Sequence, residues 1–294
     1  MKVTGKTKIY GIIGNPIEHS LSPVFQAWFL EQGGIDAAYV PFCVQDEDIE
    51  AAMHGLWALG VQGFNVTVPH KERVLPFVED DESVRLIGAV NTVTRTEQGW
   101  KGTNTDWIGF SAALEAVGAE VDAATVLLFG AGGTAKAVVY ALAKLNIASL
   151  YICNRSLERA ETLAAYIREN YSQIRCELIE WGDSDVEAAS LKSNIVINTT
   201  SIGLKDGESF PFSFAGEGVA VDAVYRPDGA TAFCRRAKEG GRKSIDGLPM
   251  LIAQGAAAFS VWQAMLPDRF GALRWMEKEL SRVPSELSGW EETA

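Results

Sequence analysis

Three polar clusters within the first 106 residues carry side chains that a packed core does not need: His19-Ser20-Leu21-Ser22-Pro23, Asn65-Val66-Thr67-Val68-Pro69-His70-Lys71 and Gly102-Thr103-Asn104-Thr105-Asp106. Each follows an expected strand end, and in an open α/β sheet the carboxyl ends of the strands line the ligand crevice. Hydroxyls, an amide, an ammonium and a carboxylate converging there suit a polyhydroxylated, anionic small molecule. A Lys beside an Asp is a competent acid/base pair once a cleft lowers the local dielectric, which singles out Lys71 and Asp106. Taken singly, each also fits a plainer role, Lys71 as a surface cation and Asp106 as the cap of the helix it begins. His70 and His19 read as packing or rim residues, because nothing nearby orients either as a base.

A second kind of chemistry follows the apolar residues 126–129. Gly130-Ala131-Gly132-Gly133-Thr134-Ala135 is a G-x-G-x-x-A turn between an expected strand and a helical run over 136–145. Glycines there let the backbone approach a pyrophosphate, and the helix start presents free N–H groups to it. A site preferring NAD carries Asp or Glu about 20 residues further on. This chain has Asn154-Arg155-Ser156 instead. The Arg155 guanidinium suits a 2′-phosphate, and Arg159, four residues later at helical spacing, adds a second cation. The expected cofactor is therefore NADP, and hydride transfer to a carbonyl needs the proton that Lys71 and Asp106 are placed to exchange.

The elements that must hold these groups follow an α/β rhythm. Short aliphatic runs over 9–13, 39–44 and 62–66 alternate with amphipathic stretches, the first helix starting near Ser22-Pro23 with the Ser as its cap. A second alternating series, with strands over 125–129, 150–153, 176–179, 195–198 and 219–224, reads as a doubly wound parallel sheet. Between them, Trp107, Phe110, Leu114 and Val117 share one face of a connecting helix. Late apolar helices over 251–266 and 270–280 are expected to pack back on the first lobe. The expected architecture is thus two α/β lobes with a hinge-like cleft: 1–106 completed by 247–294 for the substrate, and a Rossmann-type NADP lobe over 107–246. The tail after Arg282 reads as frayed.

With 294 residues, 47% apolar and 22% charged, the chain has the composition of a folded globular protein. The net charge of −12 contains no basic stretch, which removes the electrostatic basis for binding nucleic acid or an anionic membrane. The four cysteines lie far apart with no C-x-x-C pair and read as packed thiols of a reducing compartment, neither disulfides nor metal ligands. No membrane span or secretory leader is expected, so the location expected is cytoplasmic. A homodimer is compatible with the sequence.

Read together, these motifs resemble the shikimate/quinate dehydrogenase family along nearly the whole chain. The resemblance rests on Gly14-Asn15-Pro16 with Ser20 to Pro23, Asn65 through Lys71, Ala89-Val90-Asn91-Thr92, Asn104-Thr105-Asp106, the Gly130 turn, Asn154-Arg155-Ser156, the stretches 198–203 and 222–225, and 246–254. It implies NADPH-dependent reduction of 3-dehydroshikimate to shikimate, with Lys71 and Asp106 as the catalytic pair. It implies further that Ser20 and Ser22 bind the substrate carboxylate, with Tyr225 near it, and that Thr67, Asn91 and Gln254 hold ring hydroxyls. On the cofactor side it assigns Gly130, Ala131, Gly132, Gly133, Thr134 and Ala135 to the pyrophosphate, and Asn154, Arg155, Ser156 and Arg159 to the adenosine phosphate. Thr200, Ser201, Ala223, Gly247 and Met250 fall to the nicotinamide end. His70, Ala223 and Pro249 depart from residues common in the family; the last two bear on nicotinamide fit. Two alternatives stay open: a quinate/shikimate dehydrogenase, and a non-catalytic metabolite sensor on the same two lobes, which the intact Lys71 and Asp106 argue against.

Overall fold

The computed structural model describes residues 3–205 and 207–290. The chain divides into two compact units, Met1–Asp106 with Gln254–Ala272, and Trp107–Ala253 with Leu273–Ala294.

The first unit contains β1 (Lys8–Gly14), α1 (Ser22–Gln32), β2 (Ala37–Cys43), α2 (Ile49–Ala58), β3 (Gly63–Val66), β4 (Glu79–Asp80), α3 (Glu82–Ile87), β5 (Thr92–Arg95) and β6 (Trp100–Thr103). They build a six-stranded sheet of order β2-β1-β3-β5-β6-β4. Strands β1, β2 and β3 are parallel, as their helical crossovers require, whereas β5 runs antiparallel to both β3 and β6. The sheet is therefore mixed, and the β5–β6 hairpin is an element the periodicity reading did not contain. Ile13, Met53, Phe64, Val66, Val93 and Trp100 pack into one core beneath it. Pairing sets the site: β1, β3 and β5 lie side by side, so the segments leaving β1 and β3 and the residue entering β5 emerge at the same edge.

The second unit holds α4 (Asp106–Val117, whose first residue belongs to the first unit), β7 (Thr125–Phe129), α5 (Gly133–Lys144), β8 (Ser149–Cys153), α6 (Leu157–Asn170), β9 (Arg175–Ile179), α7 (Asp183–Lys192), β10 (Ile195–Asn198), β11 (Val219–Asp222), α8 (Ala232–Glu239), β12 (Lys243–Ile245), α9 (Leu248–Gln263) and α10 (Arg269–Glu279). Helices α9 and α10 are shared between the units at Ala253/Gln254 and Ala272/Leu273. The sheet order is β12-β11-β10-β7-β8-β9 and every pairing is parallel. This is the doubly wound arrangement expected, with the order reversing beside β7, where such sheets place their ligand crevice. Strands β7, β10 and β11 are almost wholly buried, which accounts for their unbroken apolar runs.

Three details differ from the sequence reading. β11 ends at Asp222, two residues short of the expected 224, and the three-residue β12 extends the sheet. Residues 247–253 and 273–290 group with the second unit, not with 1–106. Their anchors are specific: the Gly247 N–H donates to the Val224 carbonyl at 2.9 Å, and Arg282 pairs with the buried Asp246 at 2.5 Å. The tail is also not frayed as far as Trp290. That indole is buried and its Nε1 donates to the Ala112 carbonyl at 3.0 Å, while the Ser288 N–H donates to Ala116, so an apolar ring holds a segment whose composition reads as loose. Residues 291–294 of that tail lie outside the described residues. Among the described residues, no helix is long and apolar enough to cross a membrane.

Candidate active site

In the first unit Lys71 and Asp106 meet. Lys71 Nζ lies 2.6 Å from Asp106 Oδ2, with about a quarter of the lysine side chain and a ninth of the aspartate exposed. Lys71 sits on the turn that leaves β3, and its carbonyl is fixed by the Val90 N–H at 2.8 Å. Asp106 opens α4, but its side chain does not cap that helix: Oδ1 accepts from Asn91 Nδ2 at 2.7 Å and Oδ2 from Lys71. The plainer capping role is therefore not the one this carboxylate fills.

Asn91, just before β5, organises the centre. Its Oδ1 accepts from the Thr105 N–H at 2.7 Å, which fixes the amide orientation and turns Nδ2 toward Asp106, Thr105 Oγ1 and Gln254 Oε1. Thr92 donates to Asn91 Oδ1, Asn65 Nδ2 donates to both the Asn91 carbonyl and Thr92 Oγ1, and the Tyr39 hydroxyl donates to Asn65 Oδ1 at 2.7 Å. Burial pushes the Tyr39 phenol well above its usual range, with Ser22 facing it and working against that rise. Gln254 thus joins Asn91, Asp106 and Lys71 in one polar cluster. Thr92 and Tyr39 are members to which sequence reasoning gave no role, and Asn65 stood in a polar cluster without one. The available signal was their polarity on runs that are otherwise apolar, since buried polar groups in native cores are almost always bonded.

The remaining first-unit candidates, Ser20, Ser22 and Thr67, lie on the segments that follow β1 and β3. Ser22 is the first residue of α1, after the N-cap Leu21, so the expected cap role is wrong; its side chain faces the Tyr39 hydroxyl instead. The Ser22 N–H donates to Ser20 Oγ at 3.3 Å. Thr67 is half-buried, and its N–H donates to the Ile13 carbonyl at 3.0 Å, tying the β3 exit to β1. His70 is fully buried and so is no rim residue: Nε2 lies 2.7 Å from the Val44 carbonyl, and Nδ1 lies 3.4 Å from Asp46 Oδ1.

The second unit gathers the other candidates at the carboxyl ends of β7, β8, β10 and β11. Gly130 has φ +109°, and a side chain there would strike Thr199 Oγ1 at 2.4 Å, so this turn admits only glycine. Gly132 caps α5 without any side-chain bond, the first turn carries no acidic residue, and nothing lies within 4 Å of the side-chain positions of Gly132 and Gly133. Ala135 is fully buried; its methyl packs the helix onto the sheet, the use that the third position of such turns has. Past β8, Asn154 Nδ2 donates to the Ser156 carbonyl, Ser156 caps α6 by accepting from the Arg159 N–H, and both Arg155 and Arg159 are exposed. An uncapped helix start with open space beside it, two exposed cations and no carboxylate at the end of β8 together fit a pyrophosphate and a 2′-phosphate.

At the other side of that switch point, Asn198 Oδ1 accepts from both the N–H and the hydroxyl of Thr200, at 3.0 and 2.7 Å. Asn198 is held in turn by Asp222, whose Oδ1 accepts from Asn198 Nδ2 and the Val224 N–H and whose Oδ2 accepts from Thr231. Burial pushes the Asp222 carboxyl up to about 7, against those three hydrogen bonds and with the nearby Asp246 adding to the rise. Ser201 is exposed, Ala223 and Tyr225 are half-buried, and Met250 is buried. Gly247 passes so close to Ala223 that a Cβ would lie 2.3 Å from its carbonyl oxygen. Pro249, the departure noted in the sequence, stands second in α9, where a missing N–H costs nothing. A hollow of about 580 Å³ opens at the opposite, amino end of the same sheet, lined by Glu120, Asp122, Glu217 and Lys243; no candidate residue borders it.

The comparisons with known proteins divide the chain at the same place. The shikimate dehydrogenase substrate binding domain matches residues 12–93, and the shikimate / quinate 5-dehydrogenase family matches residues 112–201. A curated shikimate dehydrogenase (NADP(+)) of Pyrococcus furiosus is 40% identical over 284 residues, covering 94% of this chain and 99% of that protein. The chain belongs to the shikimate dehydrogenase family. A solved shikimate 5-dehydrogenase of Thermus thermophilus, in complex with NADP(H) and shikimate, is 33% identical with a TM-score of 0.82, covering 93% of this chain and all of that one. A ligand-free 5-ketofructose reductase of a Gluconobacter species matches at 30% identity and a TM-score of 0.84, covering 94% and 100%. Shikimate dehydrogenases thus share their fold with an enzyme named for a different carbonyl substrate, and substrate choice belongs to the site residues.

Proposed function

We propose that this chain is an NADP-dependent shikimate dehydrogenase that interconverts 3-dehydroshikimate and shikimate, a step of aromatic amino-acid biosynthesis. The observation that carries the mechanism is the contact of the Lys71 ammonium with the Asp106 carboxylate at 2.6 Å in a part-buried site. NADPH, when bound, supplies the hydride that reduces the carbonyl carbon. Lys71 Nζ gives a proton to the carbonyl oxygen as that oxygen gains negative charge, and takes it back in the opposite direction. Asp106 keeps Nζ in place, and Asn91 fixes the carboxylate from its other oxygen, so the ammonium has one preferred position. Reduced solvent exposure makes that attraction stronger than in bulk water.

Ser20 and Ser22 receive the substrate carboxylate, and Thr67, Asn91 and Gln254 the ring hydroxyls. Asn91 reaches a ligand by releasing Gln254, its longest donor contact at 3.2 Å. Gly130 to Ala135 take the pyrophosphate, largely through backbone N–H groups. Asn154, Arg155, Ser156 and Arg159 take the 2′-phosphate end, and Thr200, Ser201, Ala223, Gly247 and Met250 the nicotinamide end. We place the enzyme in the cytoplasm, which its four free thiols support.

Steady-state rates with shikimate and quinate, each with NADP and NAD, test the reading through the absorbance of the reduced nicotinamide. The highest kcat/KM is expected for shikimate with NADP. Preference for quinate with NAD, or no turnover of either acid, overturns it.

A further inference from the structure

Asn104 lies two residues before the carboxylate that pairs with Lys71, is 1% exposed, and has no part in the ligand roles assigned above. Its amide orientation is unambiguous. The Asp106 N–H can only donate, so the atom 3.0 Å from it is Oδ1; the Ala89 carbonyl can only accept, so the atom 2.9 Å from it is Nδ2. One side chain therefore ties the first residue of α4 to the segment that leads into Asn91. Asn104 is itself braced, because its N–H donates to Ser83 Oγ at 3.1 Å. Ser83 spends its proton on Asp81 Oδ1 at 2.6 Å, leaving its oxygen free to accept. Asp81 also accepts from the Val84 N–H, as the cap of α3, and from the Thr103 hydroxyl.

We propose that Asn104 is a positioning residue for Asp106: by accepting the Asp106 backbone N–H on Oδ1 while its Nδ2 donates to the Ala89 carbonyl, it sets the carboxylate between Asn91 and Lys71. Every link lies within the first unit, and the direction of each hydrogen bond from Asp81 through Ser83 to Asn104 and Asp106 is fixed by donors that cannot accept and acceptors that cannot donate. Loss of Asn104 frees the Asp106 backbone to shift, and a displacement of about 1 Å at a reacting group costs on the order of a hundredfold in rate. The proposal rests on the dehydrogenase reading. Wild-type turnover of shikimate is therefore measured first, and its absence counts against that reading alone.

The test is a double-mutant cycle. Asn104→Ala is expected to lower kcat by about 10- to 100-fold, with the KM for NADPH changed less than about twofold. Added to Asp106→Ala, the same substitution is expected to change kcat less than about twofold, because the group it positions is gone. Amide hydrogen exchange at Asp106, read without substrate or cofactor, is expected to speed up in Asn104→Ala while that of the β3 amides does not. If thermal melting shows that Asn104→Ala does not fold, Asn104→Ser replaces it in both backgrounds; it keeps an acceptor for the Asp106 N–H and is expected to lower kcat by less than about tenfold. An equal fall in kcat in both backgrounds, an unchanged kcat, or unchanged exchange at Asp106 overturns the proposal.

Discussion

The Asp222→Asn substitution gives the second unit a sharp electrostatic test. Asp222 is fully buried at the end of β11, and burial holds its carboxyl at about 7, against 3.8 for the ordinary group. The folded chain therefore keeps a proton that the unfolded chain releases near pH 4. The stability this contributes is complete below that pH, declines as the pH rises, and is gone above 7. At about 1.36 kcal/mol per pH unit between those limits, going from pH 5 to pH 8 costs the wild type about 3 kcal/mol through this one group. Asparagine keeps the carbonyl that accepts from Asn198 and Val224 but has no such titration. Its NH2 faces Thr231, whose oxygen already accepts from the Cys234 N–H, and the stranded hydroxyl proton costs about 1 kcal/mol at every pH. Urea unfolding of both proteins at pH 5, 6, 7 and 8 measures the difference. The wild type is expected to lose about 3 kcal/mol relative to the variant across that range, being the weaker partner at pH 8. Parallel curves, or a wild type that gains on the variant as the pH rises, refute the burial argument.

Arg155→Gln is expected to raise the KM for NADPH by about 10- to 100-fold and that for NADH by less than about twofold, since only the former carries a 2′-phosphate; steady-state titration of both cofactors checks this. Gly247→Ala forces a Cβ to 2.3 Å from the Ala223 carbonyl oxygen and is expected to cost about 2–3 kcal/mol, seen as a lowered urea midpoint together with weaker NADPH binding.

The parts of this fold that sequence made legible are those carried by local rules. The parallel strands of the second unit are buried on both faces and so appear as bare aliphatic runs, and the Gly130 turn is dictated by a positive φ and a close neighbour. The β5–β6 hairpin was less visible because its strands have only four residues each, although the alternation Thr92-Val93-Thr94-Arg95 and Gly99 before Trp100 were signals for it. Long-range closure was invisible in principle. Nothing local announces that Trp290 is buried against α4, or that Arg282 pairs with Asp246 thirty-six residues earlier. Within the site, the reactive groups stood out by type, while the residues that aim them did not. Asn65 and Asn104 stood in the polar clusters without a role, Thr92, Asn198 and Asp222 stand at strand ends, and the value of all five lies in partners that only the fold brings near. Asn198 and Asp222, paired across β10 and β11, are an example.

The ammonium of Lys71 is the group proposed to exchange a proton with the substrate oxygen, and Lys71→Ala tests that role most directly. Turnover of shikimate with NADP and the dissociation constant for NADPH, measured on the same folded preparation, give the answer. The prediction is a fall in kcat of about 10²–10⁴-fold with NADPH affinity within about twofold of wild type. Turnover that survives the substitution unchanged contradicts it.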